Sequence, residues 1–330
     1  MSSNITIIGL GELGASFAMA LKQQNTNINI TGSDFLKSAE KRALDNKWID
    51  KIEHNLFDAV GEADAVILAI PADQTEKTLE LTGHDLKEGA IVLDCCPNKE
   101  AAAGWARRYM KEPDNFVGIW TGVNPEHLAD AGEGAHAAAA DYFKGSSMFI
   151  AADEKTSETA IGFATNLAGV LDMECSFADP AELDGMISAS FLLPVIASYG
   201  LTGCISKRSG WTDGKKAAGR TFSRLTSPVA GELDREEIGK AFAENRENLV
   251  RLLNEYMTEL KSIRDLLTGK DESGLRTMIE DDKKALEQWE KDYRRPNRKA
   301  DDSGAVSNMK ASDAINQVFF GGFLRKKIRN

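Results

Sequence analysis

The run Gly9-Leu10-Gly11-Glu12-Leu13-Gly14 constrains this chain more than any other stretch. It follows the apolar residues Ile5-Thr6-Ile7-Ile8, which read as a buried strand, and leads into Ala15-Ser16-Phe17-Ala18-Met19-Ala20-Leu21, which reads as a helix of mostly small residues. A strand, a tight turn and a helix joined in this way use glycine for the turn, for the approach of a pyrophosphate to the backbone, and for close packing of the helix on the strand. The N–H groups at the helix start then face the phosphates. A second apolar run, residues 28–32, closes on Ser33-Asp34, and an acidic residue about 20 positions beyond the glycines is where a ribose hydroxyl is held. The expectation is a nicotinamide dinucleotide site that includes Gly9, Gly11, Glu12, Leu13, Gly14, Ser33 and Asp34. Asp34 favours NAD because a carboxylate repels a 2′-phosphate, while Lys37 and Ser38 close behind it leave NADP as the second choice.

The alternation of strand and helix continues beyond this unit. Residues 36–48 have a helical pattern, and residues 63–71 form a nearly continuous apolar strand ended by Pro71, as suits a parallel strand covered on both faces. Helices are expected over 74–82, 99–110 and 157–168, and strands over 90–94, 116–119, 148–151 and 174–177. The implied architecture is α/β: an N-terminal Rossmann-type, doubly wound parallel sheet over residues 1–178. Ligands in such sheets sit beyond the carboxyl ends of the strands, which adds Ala69, Ile70, Pro71 and Asp94 to the cofactor crevice. From residue 179 to 295 strand signals fade and an all-helical C-terminal domain is expected. Phe242, Leu249, Leu253, Tyr256, Leu260, Ile263 and Leu267 place one apolar face along a helix of roughly eight turns, a seam that suits a homodimer. A second long helix is expected over 272–293. Residues 296–330 read as a linker and an amphipathic arm.

Composition narrows the function classes. A formal net charge of −11 disfavours nonspecific nucleic-acid binding, and no uninterrupted apolar run reaches the roughly 20 residues of a membrane span. The N-terminal residues lack the pattern of a secretory signal, so a cytoplasmic setting is expected. The four cysteines, at 95, 96, 175 and 204, have neither zinc-site nor disulfide-framework spacing and are expected as reduced thiols.

These segments, together with Phe116-Val117-Gly118, Phe143-Lys144-Gly145, Asp179-Pro180-Ala181-Glu182-Leu183-Asp184, Leu193-Pro194 and Gly210-Trp211-Thr212-Asp213, resemble the prephenate/arogenate dehydrogenase family in order over roughly residues 4–295. The resemblance implies a nucleotide-binding domain, a helical dimerisation domain, and NAD-linked oxidation of a small anionic substrate. In that reaction a hydride leaves a ring carbon bearing a hydroxyl, and a carboxylate is lost as the ring becomes aromatic.

The family's polar groups are replaced at several matching positions. Its His-Pro pair corresponds to Asn124-Pro125, the serine two residues before Lys99 to Pro97, its Ser-His-Leu-Pro-His run to Phe191-Leu192-Leu193-Pro194-Val195, and its carboxylate-binding arginine to Lys216. An amide cannot take up a proton near neutrality, so a general base has to come from elsewhere. His127 and His136, in the loop after the 116–119 strand, are the candidates by position, and Lys99 and Lys216 are the candidate anchors for an anionic substrate. Prephenate is the default substrate by resemblance, and the missing histidine lowers it. Two other readings stand beside this one. A nucleotide-binding sensor without chemistry fits the lost groups, whereas a hydroxyacid dehydrogenase is weakened because residues 179–295 contain no Lys-x-x-x-Asn.

Overall fold

The computed structural model describes residues 3–24, 28–128, 137–230 and 235–294. Its centre is one eight-stranded sheet: β1 (Ser3–Ile8), β2 (Ile28–Ser33), β3 (Lys51–Ile52), β4 (Ala65–Leu68), β5 (Ile91–Asp94), β6 (Phe116–Thr121), β7 (Ser147–Ala151) and β8 (Glu174–Ala178). The spatial order is β3-β2-β1-β4-β5-β6-β7-β8. Strands β1 to β6 pair in parallel, so the order reverses at β1 and opens a crevice at the carboxyl ends of β1 and β4. The β6–β7 pairing is antiparallel, unlike the wholly parallel sheet expected. Residues 122–146 join these two strands, and β8 then pairs in parallel with β7.

Strand periodicity puts alternate residues on opposite faces. On one face Ile5, Ile7, Ile30, Ile67, Leu93 and Ile119 pack with Phe17 and Leu21 of α1 (Glu12–Gln23) and Phe163 and Leu167 of α6 (Glu158–Val170). On the other, Val66, Leu68, Val92 and Phe116 pack with Leu79 of α4 (Ala72–Thr82) and Trp105 of α5 (Lys99–Tyr109). Two short helices, α2 (Lys37–Asp45) and α3 (Leu56–Gly61), complete the layers. Each fully buried Leu or Ile here contributes about 1.5–3 kcal/mol, which fixes the strand ends that carry the site.

The chain divides into two units. The first runs through Leu183 and takes up Tyr293 again; the second is Asp184–Asp292. The boundary expected at 178 thus falls inside the first unit, a few residues early. Helix α7 (Pro180–Ile187) continues through a π-helical turn, Ser188–Leu192, into α8 (Leu193–Ser206). This continuous run, Pro180–Ser206, is long and apolar enough to cross a membrane, with a mean hydropathy of 1.5 and 28% of its most apolar window buried. Serines and acidic residues interspersed along it keep it from being an uninterrupted apolar run. Helices α9 (Trp211–Gly214), α10 (Arg220–Ala230), α11 (Arg235–Glu244), α12 (Arg246–Thr268) and α13 (Glu272–Tyr293) follow. The expected single seam helix is broken at Asn245, which caps α12. Leu249 and Leu252 are buried, whereas Met257, Leu260 and Leu267 on α12 and Ile279, Leu286 and Trp289 on α13 stand exposed. The arm expected over 296–330 lies outside the described residues.

Candidate functional site

The glycine turn forms as its sequence requires. Gly9 has φ +90°, and a side chain there or at Gly14 would overlap backbone: the Ala69 carbonyl in the first case, the Gly9 carbonyl in the second. Both glycines are therefore structural, and the close approach of Ala69 brings the β4–α4 turn, Ala69-Ile70-Pro71, beside the glycine turn. Gly11 differs. Its φ is −69°, no atom of the described residues beyond its two chain neighbours lies within 4 Å of a Cβ built on it, and it caps α1 without any side-chain hydrogen bond. The start of α1, with Leu13 and Gly14 in its first turn, is thereby left to an external anion.

Asp34 is held in place at the end of β2. Its two carboxylate oxygens accept hydrogen bonds from Leu10 N (2.6 Å) and Leu36 N (2.7 Å), and Ser33 contributes its carbonyl to Gly9 N (2.8 Å). Each Asp34 oxygen keeps further lone-pair capacity for sugar hydroxyls. Glu12 turns away from the helix start to the hydroxyl of Tyr142, whose pKa is raised by burial and by the Glu12 carboxylate. The turn, Asp34 and the β4–α4 corner thus fit a dinucleotide: a cradle open only at Gly11, an uncapped helix start and a fixed carboxylate.

Asp94 and Lys99 are elsewhere than expected. Both side chains are 0% exposed, and Lys99 Nζ donates to the Asp94 carbonyl (2.9 Å) and lies 3.3 Å from Asp94 Oδ2. Thr75 Oγ1 and Cys96 N also donate to Asp94 Oδ1, at 3.4 and 3.2 Å. Lys99 is correspondingly an interior ion-pair partner rather than an anchor facing substrate, and Asp94 lines the sheet interior rather than the cofactor surface. The neighbouring Cys95 thiol is pushed up to about 12 by burial.

The loop after β6 gathers three polar residues. Asn124 is buried; its Nδ2 donates to the Asp141 carbonyl (3.0 Å) and its Oδ1 accepts from Glu126 N (3.0 Å). That amide organises the loop. His127 Nε2 lies 2.9 Å from Asp141 Oδ1, and this contact holds the Asp141 carboxyl below its usual range. The same loop is tied to α1 by Ala139 N donating to Ser16 Oγ (3.2 Å), and to Tyr293 of the same unit, whose hydroxyl donates to the Val123 carbonyl (2.8 Å) and accepts from Val123 N (3.0 Å). His136 lies outside the described residues. Lys216 belongs to the second unit, is 75% exposed and pairs with Asp213 at 3.0 Å.

A sequence model described as the nucleotide-binding domain of prephenate dehydrogenase matches residues 17–171. The match begins after the glycine turn, so the two observations are independent. Residues 17–171 are a nucleotide-binding domain of the prephenate dehydrogenase type. A prephenate dehydrogenase of Bacillus subtilis is 26% identical over 203 residues, 61% of this chain, and the chain spans about half (53%) of that relative's length. A cyclohexadienyl dehydrogenase of Zymomonas mobilis is 23% identical over 86% of this chain and 94% of its own. The crystal structure of the prephenate dehydrogenase of A. aeolicus, in complex with hydroxyphenyl propionate and NAD+, shares the fold at a TM-score of 0.74, with 20% identity over 87% of this chain and 98% of that one. The residues that sequence reasoning missed are Asp141, Tyr142, Tyr293 and Glu40. Their partners lie 14 residues from Asp141 and 170 from Tyr293, and no local pattern announces such pairs.

Proposed function

We propose that this chain is an NAD-dependent oxidoreductase acting on a small anionic, hydroxylated substrate, with a cyclohexadienyl acid such as prephenate as the default and tyrosine biosynthesis as its setting. The observation that carries the reading is Asp34, gripped at both oxygens beside an uncapped, glycine-opened helix start. NAD, when bound, supplies the hydride acceptor. The start of α1 would hold its pyrophosphate and Asp34 its adenine ribose.

The base is assigned to His127. Oriented by the 2.9 Å contact between its Nε2 and Asp141 Oδ1, the His127 imidazole would take up the substrate's hydroxyl proton. Asn124, its amide engaged within the loop, positions that loop. Lys216 is the residue that the family resemblance offers as an anchor for the substrate's carboxylate.

A second reading, nucleotide binding without chemistry, is favoured by the replacement of the family's histidine with Asn124. Absorbance of the reduced cofactor separates the two readings, with prephenate, arogenate and simple hydroxyacids offered to the purified chain and NAD. The expectation is turnover that falls about 10²–10⁴-fold in His127→Ala and a Michaelis constant raised about tenfold in Lys216→Ala. No turnover with any of these substrates, despite NAD binding, selects the second reading.

A further inference from the structure

A buried carboxylate stands directly behind the ribose-binding position. Glu40, in the first turn of α2, is 1% exposed, although glutamate is rarely buried completely unless paired. Its Oε1 accepts the backbone N–H of Asp34 at 3.1 Å, and its Oε2 lies 2.9 Å from Nδ1 of His54, whose side chain is 60% exposed. His54 follows β3, the strand beside β2, where Glu53 N donates to the Gly32 carbonyl at 3.0 Å.

Glu40 thus joins three segments: the end of β2, the start of α2 and the chain beyond β3. Helix α2 does not need it for its own start, since Ala39 N and Glu40 N both reach the Leu36 carbonyl. What it does fix is the peptide nitrogen of the residue whose carboxylate is held from Leu10 and Leu36. A carboxylate aimed at sugar hydroxyls binds well only if it is held within a fraction of an ångström by groups that are themselves fixed.

We propose that Glu40 is a positioning residue for the cofactor's adenine ribose: it sets the backbone of Asp34, and Asp34 sets the sugar. The inference rests on the assignment of Asp34 to the ribose.

The test is calorimetric titration of the full chain with NAD and with NAD lacking the adenosine 2′-hydroxyl. It compares the parent with Glu40→Ala, Glu40→Gln, Asp34→Ala and the Asp34→Ala/Glu40→Ala pair. Glu40→Ala should raise the NAD dissociation constant about tenfold, or about 1.4 kcal/mol. Glu40→Gln, which keeps an acceptor for Asp34 N–H, should stay within about threefold of the parent. The alanine penalty should vanish with the deoxy cofactor and in the Asp34→Ala background, because the two residues act as one device. A penalty equal for both cofactors, or undiminished without Asp34, would mean that Glu40 merely supports the fold and would overturn the proposal. If Asp34→Ala alone leaves NAD affinity unchanged, the ribose assignment fails instead. Should Glu40→Ala not fold, Glu40→Met, which fills the volume without an acceptor, carries the same comparison.

Discussion

Gly11→Val separates a binding glycine from its structural neighbours. The residue has φ −69° and ψ −157°, and among the described residues no atom beyond its chain neighbours lies within 4 Å of an added Cβ, so the folded chain has room for the side chain. The cost to the fold is the difference between glycine and a poor capping residue, about 1 kcal/mol or less, which lowers Tm by roughly 2–4 °C. The cost to binding is larger, because the valine methyls occupy the space through which a pyrophosphate reaches the helix start. Losing two charge-assisted contacts at about 1.5–3 kcal/mol each removes roughly 3–6 kcal/mol, a 10²–10⁴-fold loss of affinity. Calorimetry with NAD, paired with thermal unfolding of the same sample, measures both numbers. NAD binding as tight as the parent's would refute the placement of the pyrophosphate. Loss of the fold would refute the reading of Gly11 as space left for a ligand. Gly14→Ala is the control: its Cβ would overlap the Gly9 carbonyl, so this variant should be grossly destabilised.

Other expectations follow from the same geometry. Side-by-side titration should favour NAD over NADP, with Asp34→Asn narrowing the difference; equal affinities in the parent chain would overturn the role given to Asp34. We propose a homodimer formed by the helical unit, because Met257, Leu260 and Leu267 on α12 and Ile279, Leu286 and Trp289 on α13 expose apolar surface, and the Pro180–Ser206 run is largely uncovered. Light scattering should give about twice 35.9 kDa, and a monomer at micromolar concentration would rule the proposal out. Of the four thiols, Cys95 and Cys96 are buried with raised pKa values, Cys175 is half-buried and raised by burial, and Cys204 is exposed. A thiol reagent at neutral pH should therefore label Cys204 first, and rapid labelling of Cys95 in the folded chain would contradict its enclosure.

What could be read from the chain depended on how local the signal was. The glycine turn, Asp34 and the apolar strands are written in neighbouring residues, so their place in the sheet was legible. Strand β3, two residues long, has too short a period to register, and the β6–β7 reversal depends on a loop whose hydrogen bonds join Asn124 to residues 141 and 142. Lys99 shows the limit at the site. Its position in the family's pattern is plain, but only the fold shows that its ammonium turns inward to Asp94.

That inward turn bears on how such sequences change over time. Removing either Asp94 or Lys99 alone would strand a charge in the interior at about 3–5 kcal/mol, a large share of the roughly 5–15 kcal/mol that keeps a domain folded. Neither partner can then be replaced alone, and the pair can change only if both residues change together. Lys99 is in that sense a fixture of the sheet, held there by the stability of the folded domain.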